Sequence, residues 1–163
     1  MTFSWEPFGM TRGGEAPAGA TPSALPRAPR RSLLVLTCMD ARIDPLAAFG
    51  LRLGDAHVLR NAGAEVTDDV LRSLSLSHAA AGTREVWLVG HTDCVAHGGS
   101  DERVEASLRR SSERIARMGG PAAGFRVRAF RYDLRSGRVT ELHHVTASRP
   151  SSDLHGPHTN KRD

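Results

Sequence analysis

The only two cysteines of this 163-residue chain sit in two short polar motifs, Cys38-Met39-Asp40-Ala41-Arg42 and His91-Thr92-Asp93-Cys94. Two thiols and an imidazole are borderline-soft donors that suit zinc. Three protein ligands leave a fourth position open, the catalytic rather than the structural arrangement. Cys38, His91 and Cys94 are therefore the candidate metal ligands, with zinc the expected cofactor. A metal held this way activates water as a nucleophile near neutral pH. Asp40 and Arg42 lie two and four residues past the first ligand, close enough for a carboxylate–guanidinium pair beside the metal. In this reading Arg42 holds Asp40 off the metal through a bidentate contact, and Asp40, kept ionised, accepts a hydrogen bond from the nucleophile and orients it. The alternative for these two residues is a plain structural ion pair. Cysteine usage in such a chain points to metal binding or catalysis rather than to a disulfide, although the two thiols could pair if the metal were lost.

Both motifs close an apolar run: Leu33-Leu34-Val35-Leu36-Thr37 before Cys38, and Val86-Trp87-Leu88-Val89-Gly90 before His91. The pattern predicts strands over 33–37, 56–59, 86–89, 126–134 and 139–145, the last two joined by a Ser136-Gly137 hairpin turn. It predicts helices over 68–81, with Thr67 as N-cap and Gly82 as stop, and over 101–118, with Gly119-Gly120 as stop. Val70, Leu71, Leu74 and Ala81 form the apolar stripe of the first helix, and Val104, Leu108, Ile115 and Met118 that of the second. Apolar strands alternating with helices predict an α/β fold: a mostly parallel sheet covered on both faces by helices, ending in a C-terminal antiparallel hairpin strand. In such sheets ligands bind outside the carboxyl ends of the strands, where Cys38 and His91 are placed.

C-x-D-x-R followed by H-x-x-C, each after a strand, resembles the signature of the β-class carbonic anhydrases, in particular their small bacterial members. The likeness runs from about Leu33 to Val145 and takes in Leu53-Gly54-Asp55-Ala56-His57-Val58, Arg60-Asn61-Ala62-Gly63 and Gly82-Thr83-Arg84-Glu85. The resemblance implies zinc-dependent reversible hydration of carbon dioxide to bicarbonate. It also implies a second state in which Asp40, released by Arg42, joins Cys38, His91 and Cys94 as the fourth metal ligand. Asn61 and Gly63 fall in a segment that resembles a family active-site loop and are candidate substrate-lining residues, with turn chemistry alone as the other reading. Subunit pairing, as a homodimer or larger homo-oligomer, is implied as well. Hydrolysis of carbon disulfide or carbonyl sulfide on the same scaffold, or zinc binding with little catalysis, are the alternative functions. Two departures stand out. Val95 occupies a position where the family usually has glycine, and the stretch between Cys94 and the helix near Asp101 is short. Both predict a slower enzyme, the deficit lying in the wall around the site rather than at the ligands.

Three regions are expected: an extended Pro/Gly-rich arm over 1–31, the zinc domain over 32–146, and a disordered polar tail over 147–163. Phe3, Trp5 and Phe8 in the arm read either as contact with a partner subunit or as part of a disordered leader. The net charge is +4, and Lys161 is the only lysine. The arginines are dispersed among acidic residues and aromatics are few, so the charge does not read as a nucleic-acid surface. No apolar run reaches membrane-spanning length and no apolar leader is evident, so a cytoplasmic protein without membrane or nucleic-acid partners is expected. Among the remaining polar residues, Asp93 is expected to face away from the metal and cap a turn. His57 and His97 are further metal-capable groups; His97, soon after Cys94, is expected to be a solvent-facing loop histidine, with a proton relay as the other reading. His143 and His144 read as strand-end residues with no partner nearby in sequence.

Overall fold

The computed structural model describes residues 21–118 and 124–146. The first strand, β1 (Leu33–Cys38), is buried at all six positions. It is an interior strand, paired in parallel with β2 (Ala56–Asn61) on one side and β3 (Glu85–His91) on the other. A strand covered on both faces carries a continuous apolar run rather than an alternation. β4 (Arg126–Tyr132) continues the parallel set beyond β3, and β5 (Val139–Thr146) returns antiparallel to β4. The order is β2-β1-β3-β4-β5, the mostly parallel sheet with a terminal hairpin that the pattern predicts.

Between β1 and β2 lies a short helix, α1 (Pro45–Ala48), capped by Asp44, whose carboxylate accepts from the backbone N–H of Leu46 and Ala47. Four residues are too few for a helical period to show in sequence. The longer helices are α2 (Asp68–Ala81), with the hydroxyl of Thr67 accepting from Val70 N–H and Gly82 as its left-handed stop, and α3 (Asp101–Ala116), capped by Ser100. Val70 and Leu74 of α2 pack with Val104, Leu108 and Ile115 of α3 in one core, against Leu34, Leu36, Val86, Leu88, Val127 and Ala129 of the sheet. Both long helices therefore lie on the same face. The opposite face buries Leu33, Val35, Val89 and Phe130 with Leu51, and Leu46 and Phe49 from the α1 region pack on it. Among the described residues, helical cover on that side is limited to α1, the helix of the β1-to-β2 crossover. β2 runs two residues past its predicted end. Arg60 and Asn61 are polar, but they pair with Thr37 and Cys38 through the backbone ladder.

Residues 21–31 are fastened to the domain. Arg30 donates to the Leu53 carbonyl and to the Asp55 carboxylate, and the backbone N–H groups of Arg30 and Arg31 donate to the carbonyls of Gly54 and Asp55. Phe3, Trp5 and Phe8, the Gly119-Gly120 stop and the 147–163 tail lie outside the described residues. No helix among the described residues is long and apolar enough to cross a membrane.

α3 approaches the sheet closely at Gly90, directly before His91. A Cβ there would stand 2.5 Å from Val104 Cγ1 and 3.1 Å from Leu108 Cδ1. The absence of a side chain lets α3 sit against β3 and back the strand that delivers a candidate ligand. Gly90→Ala is expected to destabilise the fold by about 1–3 kcal/mol through overpacking, read as a lower urea midpoint. An unchanged midpoint would show that the helix yields without cost.

Candidate metal centre

Each candidate ligand is delivered by a strand end. Cys38 is the last residue of β1, His91 the last of β3, and Cys94 follows His91 after a two-residue turn. β1 and β3 are adjacent and in register through Thr37 and Val89, so their ends come out side by side. The strand order reverses here as well: the chain leaves β1 for β2 on one side and returns to β3 on the other. That reversal opens a crevice at the carboxyl ends of a parallel sheet.

The turn that carries Cys94 is pinned from several directions. Thr92 N–H donates to the Tyr132 carbonyl and the Thr92 hydroxyl accepts from Leu134 N–H, tying it to the end of β4. Asp93 takes a left-handed backbone, φ 57°, a region that aspartate tolerates better than most residues. Cys94 then caps a short 3-10 turn, Val95–His97, its carbonyl accepting from the N–H of His97 and Gly99.

The ligating atoms of Cys38, His91 and Cys94 all lie within 4.8 Å of one another, and all three residues are buried. The two sulfurs are 4.0 Å apart. His91 Nδ1 lies 2.9 Å from the Thr92 carbonyl oxygen. A carbonyl only accepts, so the proton resides on Nδ1 and Nε2 keeps a bare lone pair. That Nε2 is buried with no hydrogen-bond partner among the described residues. A buried polar nitrogen is costly to leave unmatched, and a metal cation between it and the two sulfurs resolves the cost. The donor set and the orphaned nitrogen both fit a metal ion. Burial, together with the neighbouring Cys38 sulfur, pushes the Cys94 thiol up, while backbone N–H groups of Ala96 and His97 pull it the other way.

Asp40 and Arg42 form the expected bidentate pair. Arg42 Nε donates to Asp40 Oδ1 at 3.0 Å and Nη2 to Oδ2 at 2.8 Å, and Arg42 N–H adds a third bond to Oδ1 at 3.0 Å. The Arg42 guanidinium holds the Asp40 carboxyl far below the usual carboxylate range. Asp40 Oδ2 stands 4.0 Å from His91 Nε2, so an ionised carboxylate lies beside the three ligands.

Two residues take a part in this arrangement that the sequence reading does not give them. Asp93 makes no cap among the described hydrogen bonds: its Oδ2 accepts from Arg42 Nη1 at 2.9 Å. Arg60 donates from Nε to the Cys38 carbonyl at 3.0 Å and from Nη2 to the Asp40 carbonyl at 2.7 Å, clamping the backbone on either side of Met39. The available signals were the position of Asp93 between two ligands and the register of Arg60 opposite Thr37, next to Cys38.

Asn61 and Gly63 lie along the same rim. The Asn61 carbonyl accepts from Met39 N–H, and the Asn61 amide is spent on the backbone of Glu65. Gly63, at φ 74°, gives its carbonyl to His97 Nε2 at 3.1 Å, and a Cβ there would come within 2.7 Å of that nitrogen. His97 is accordingly buried, not a solvent-facing loop residue. His57 is held by the Ser77 hydroxyl and the Arg27 carbonyl, remote in the fold from the thiols, and His143 Nε2 pairs with the Ser112 hydroxyl of α3. Val95 opens the 3-10 turn without a left-handed backbone, and its side chain is 87% exposed. Within one chain it does not strain the turn.

The carbonic anhydrase family model matches residues 33–139, and the chain belongs to this family, in its β class. It is 51% identical over 70 residues to β-carbonic anhydrase 1 of Mycobacterium tuberculosis, covering 43% of this chain and 43% of that protein. It is 52% identical over 64 residues to a carbon disulfide hydrolase of Saccharolobus solfataricus, covering 39% of this chain and 31% of that protein. These alignments span less than half the length of the curated relatives. A crystal structure of carbonic anhydrase from Streptococcus mutans superposes with a TM-score of 0.64 at 34% identity, covering 73% of this chain and 86% of that one.

Metal uptake must displace protons from the thiols. Because the Cys94 thiol is raised, its proton is still present at neutral pH, so affinity should strengthen as pH rises from 6 to 8. Competition with a chromogenic chelator at several pH values reads this directly, and a pH-independent affinity would contradict it. Cys38→Ser and His91→Ala should each lose most bound metal, measured by elemental analysis of the purified proteins.

Proposed function

We propose that this chain binds one zinc ion through Cys38, His91 and Cys94 and catalyses the reversible hydration of carbon dioxide to bicarbonate and a proton. The observation that carries the reading is the buried, unpartnered His91 Nε2, gathered with two sulfurs beside an ionised Asp40 held by Arg42. Zinc bound there supplies a nucleophile from water at neutral pH, chemistry for which carbonic anhydrases are the standing example. The chain's own residues do the rest. Arg42 keeps Asp40 charged and fixes its two oxygens. Asp40 accepts a hydrogen bond from the nucleophile and aims its lone pair at the carbon of the substrate. Arg60 holds the Cys38–Asp40 backbone, so ligand and carboxylate keep their spacing. Asn61 and Gly63 bound the pocket through backbone that ties the two metal loops together. With Arg42 displaced, Asp40 would be free to join Cys38, His91 and Cys94 in holding the ion and to close the site, the second state that the family resemblance implies.

Carbon disulfide is the second substrate to weigh, since a curated relative of similar identity hydrolyses it. It is linear like carbon dioxide, and access to the pocket decides between the two. We further propose a cytoplasmic homodimer or larger homo-oligomer. Met39 and Val95, each adjacent to a metal ligand, are 65% and 87% exposed in the single chain. A second subunit over this mouth would bury them. Light scattering at micromolar concentration should give at least a dimer, and a monomer would remove this part of the reading.

Asp40→Asn tests the mechanism. An amide is a poorer acceptor and is not held by Arg42 as a carboxylate is. The variant should keep most of its zinc and lose about 100-fold or more in carbon dioxide turnover. Normal rates in Asp40→Asn would take Asp40 out of the reaction. Parallel assays with carbon disulfide, faster than with carbon dioxide, would transfer the reading to the sulfur substrate.

A further inference from the structure

Arg42 divides its donors between two carboxylates. The edge formed by Nε and Nη2 serves Asp40, while Nη1 serves Asp93 Oδ2 at 2.9 Å and Nη2 also lies 3.4 Å from the Asp93 carbonyl. The strong bonds to the two carboxylates use different N–H groups, so Asp93 does not compete with Asp40 for the guanidinium. It fixes the far end of it. This second anchor matters because the outer side of Arg42 is open. The Arg42 side chain is about half exposed, and a cavity of about 560 Å³, lined by Arg42, Thr92, Asp93, Asp133, Leu134 and Arg135, lies there. No packed wall keeps the guanidinium over Asp40. Among the described residues, Asp93 is its only other carboxylate partner.

The backbone of Asp93 is built for this task. Its left-handed φ of 57° is an uncommon state for a residue with a side chain, and it occurs in the turn between His91 and Cys94. The turn is itself pinned by Thr92 to the end of β4. The anchor of Arg42 thus sits on a turn held by backbone bonds, in the loop that carries the candidate ligands His91 and Cys94. Asp40, the residue Arg42 restrains, has an oxygen 4.0 Å from His91 Nε2, one of the three candidate ligating atoms.

We propose that Asp93 is a positioning residue: by anchoring Arg42 from the second metal loop, it holds Asp40 in its catalytic place and off the metal. Loss of the Asp93 carboxylate lets Arg42 swing into the outer cavity and leaves Asp40 free to join Cys38, His91 and Cys94. This inference rests on the metal site and the role of Asp40 proposed above, and its main readout does not require activity.

The test is the rate of zinc transfer from the loaded protein to excess chromogenic chelator. Asp93→Asn is the informative variant, because asparagine also accepts a left-handed backbone while losing the charge. Zinc gripped by a fourth protein ligand leaves more slowly, whereas a merely loosened loop releases it faster, so the two explanations have opposite signs. Asp93→Asn should release zinc about two- to fivefold more slowly than wild type, the scale of one half-exposed ion pair. Adding Asp40→Asn should restore the faster release. Carbon dioxide turnover in Asp93→Asn should fall by a similar factor through kcat, with KM little changed. Cobalt(II)-substituted Asp93→Asn should show an altered visible spectrum that reverts in the double variant. Zinc release that is unchanged or faster in Asp93→Asn overturns the proposal. If wild-type zinc protein shows no turnover, the functional reading fails, while the release rates still decide whether Asp93 restrains Asp40.

Discussion

Everything in this molecule that can do chemistry depends on the parallel pairing of β1 with β3. The two strands share a register that ends at Thr37 and Val89, so Cys38 and His91 emerge side by side, and a tight turn adds Cys94. A shift of one residue in either strand would send a ligand to the wrong face of the sheet. Both strands are held against such a shift. β1 is buried along its whole length between two parallel neighbours, and β3 is backed by α3 at Gly90, where only a missing side chain permits the approach. The Thr37 hydroxyl adds a buried bond across to the Val89 carbonyl at the last paired position. The rigidity of the core is thereby transmitted to the three donor atoms.

The second layer of the account is electrostatic. With a metal bound, two thiolates would put negative charge on one side of the site, and Asp40 adds more beside it. Arg42 offsets this and fixes where the carboxylate points, and Asp93 in turn fixes Arg42. The Arg42 contacts lower the folded-state pKa of Asp40. A carboxylate depressed in this way contributes stability above the ordinary aspartate range, and that contribution is lost as pH falls through its folded value. The pair therefore stays charged throughout the neutral range in which the proposed reaction would run. Arg60 works differently: it binds carbonyls, not carboxylates, and so fixes the backbone between Cys38 and Asp40.

Much of this was legible in the sequence. The strands before Cys38 and His91 are strongly apolar, α2 carries a cap and a stop at its true ends, and the residue types of the ligands name their chemistry. The rest was not legible for identifiable reasons. α1 is too short to show a period. The backbone ladder, not the side chains, carries β2 through Arg60 and Asn61. His97 is buried because Gly63, more than thirty residues earlier, offers it a carbonyl, and no local pattern encodes that contact. Asp93 reads locally as a turn residue, which it is. Its hold on Arg42 exists only once β1 and β3 lie side by side. Phe3, Trp5 and Phe8 lie outside the described residues, and the part of the arm nearest the domain, residues 21–31, is bonded to it.

The central claim is that three ligands from two strand ends, with zinc, hydrate carbon dioxide. The most direct measurement is stopped-flow carbon dioxide hydration during stepwise addition of zinc to metal-free protein. The account predicts a rate that rises in proportion to zinc and levels off at one ion per chain. A rate no faster than the uncatalysed reaction at full zinc occupancy would contradict it.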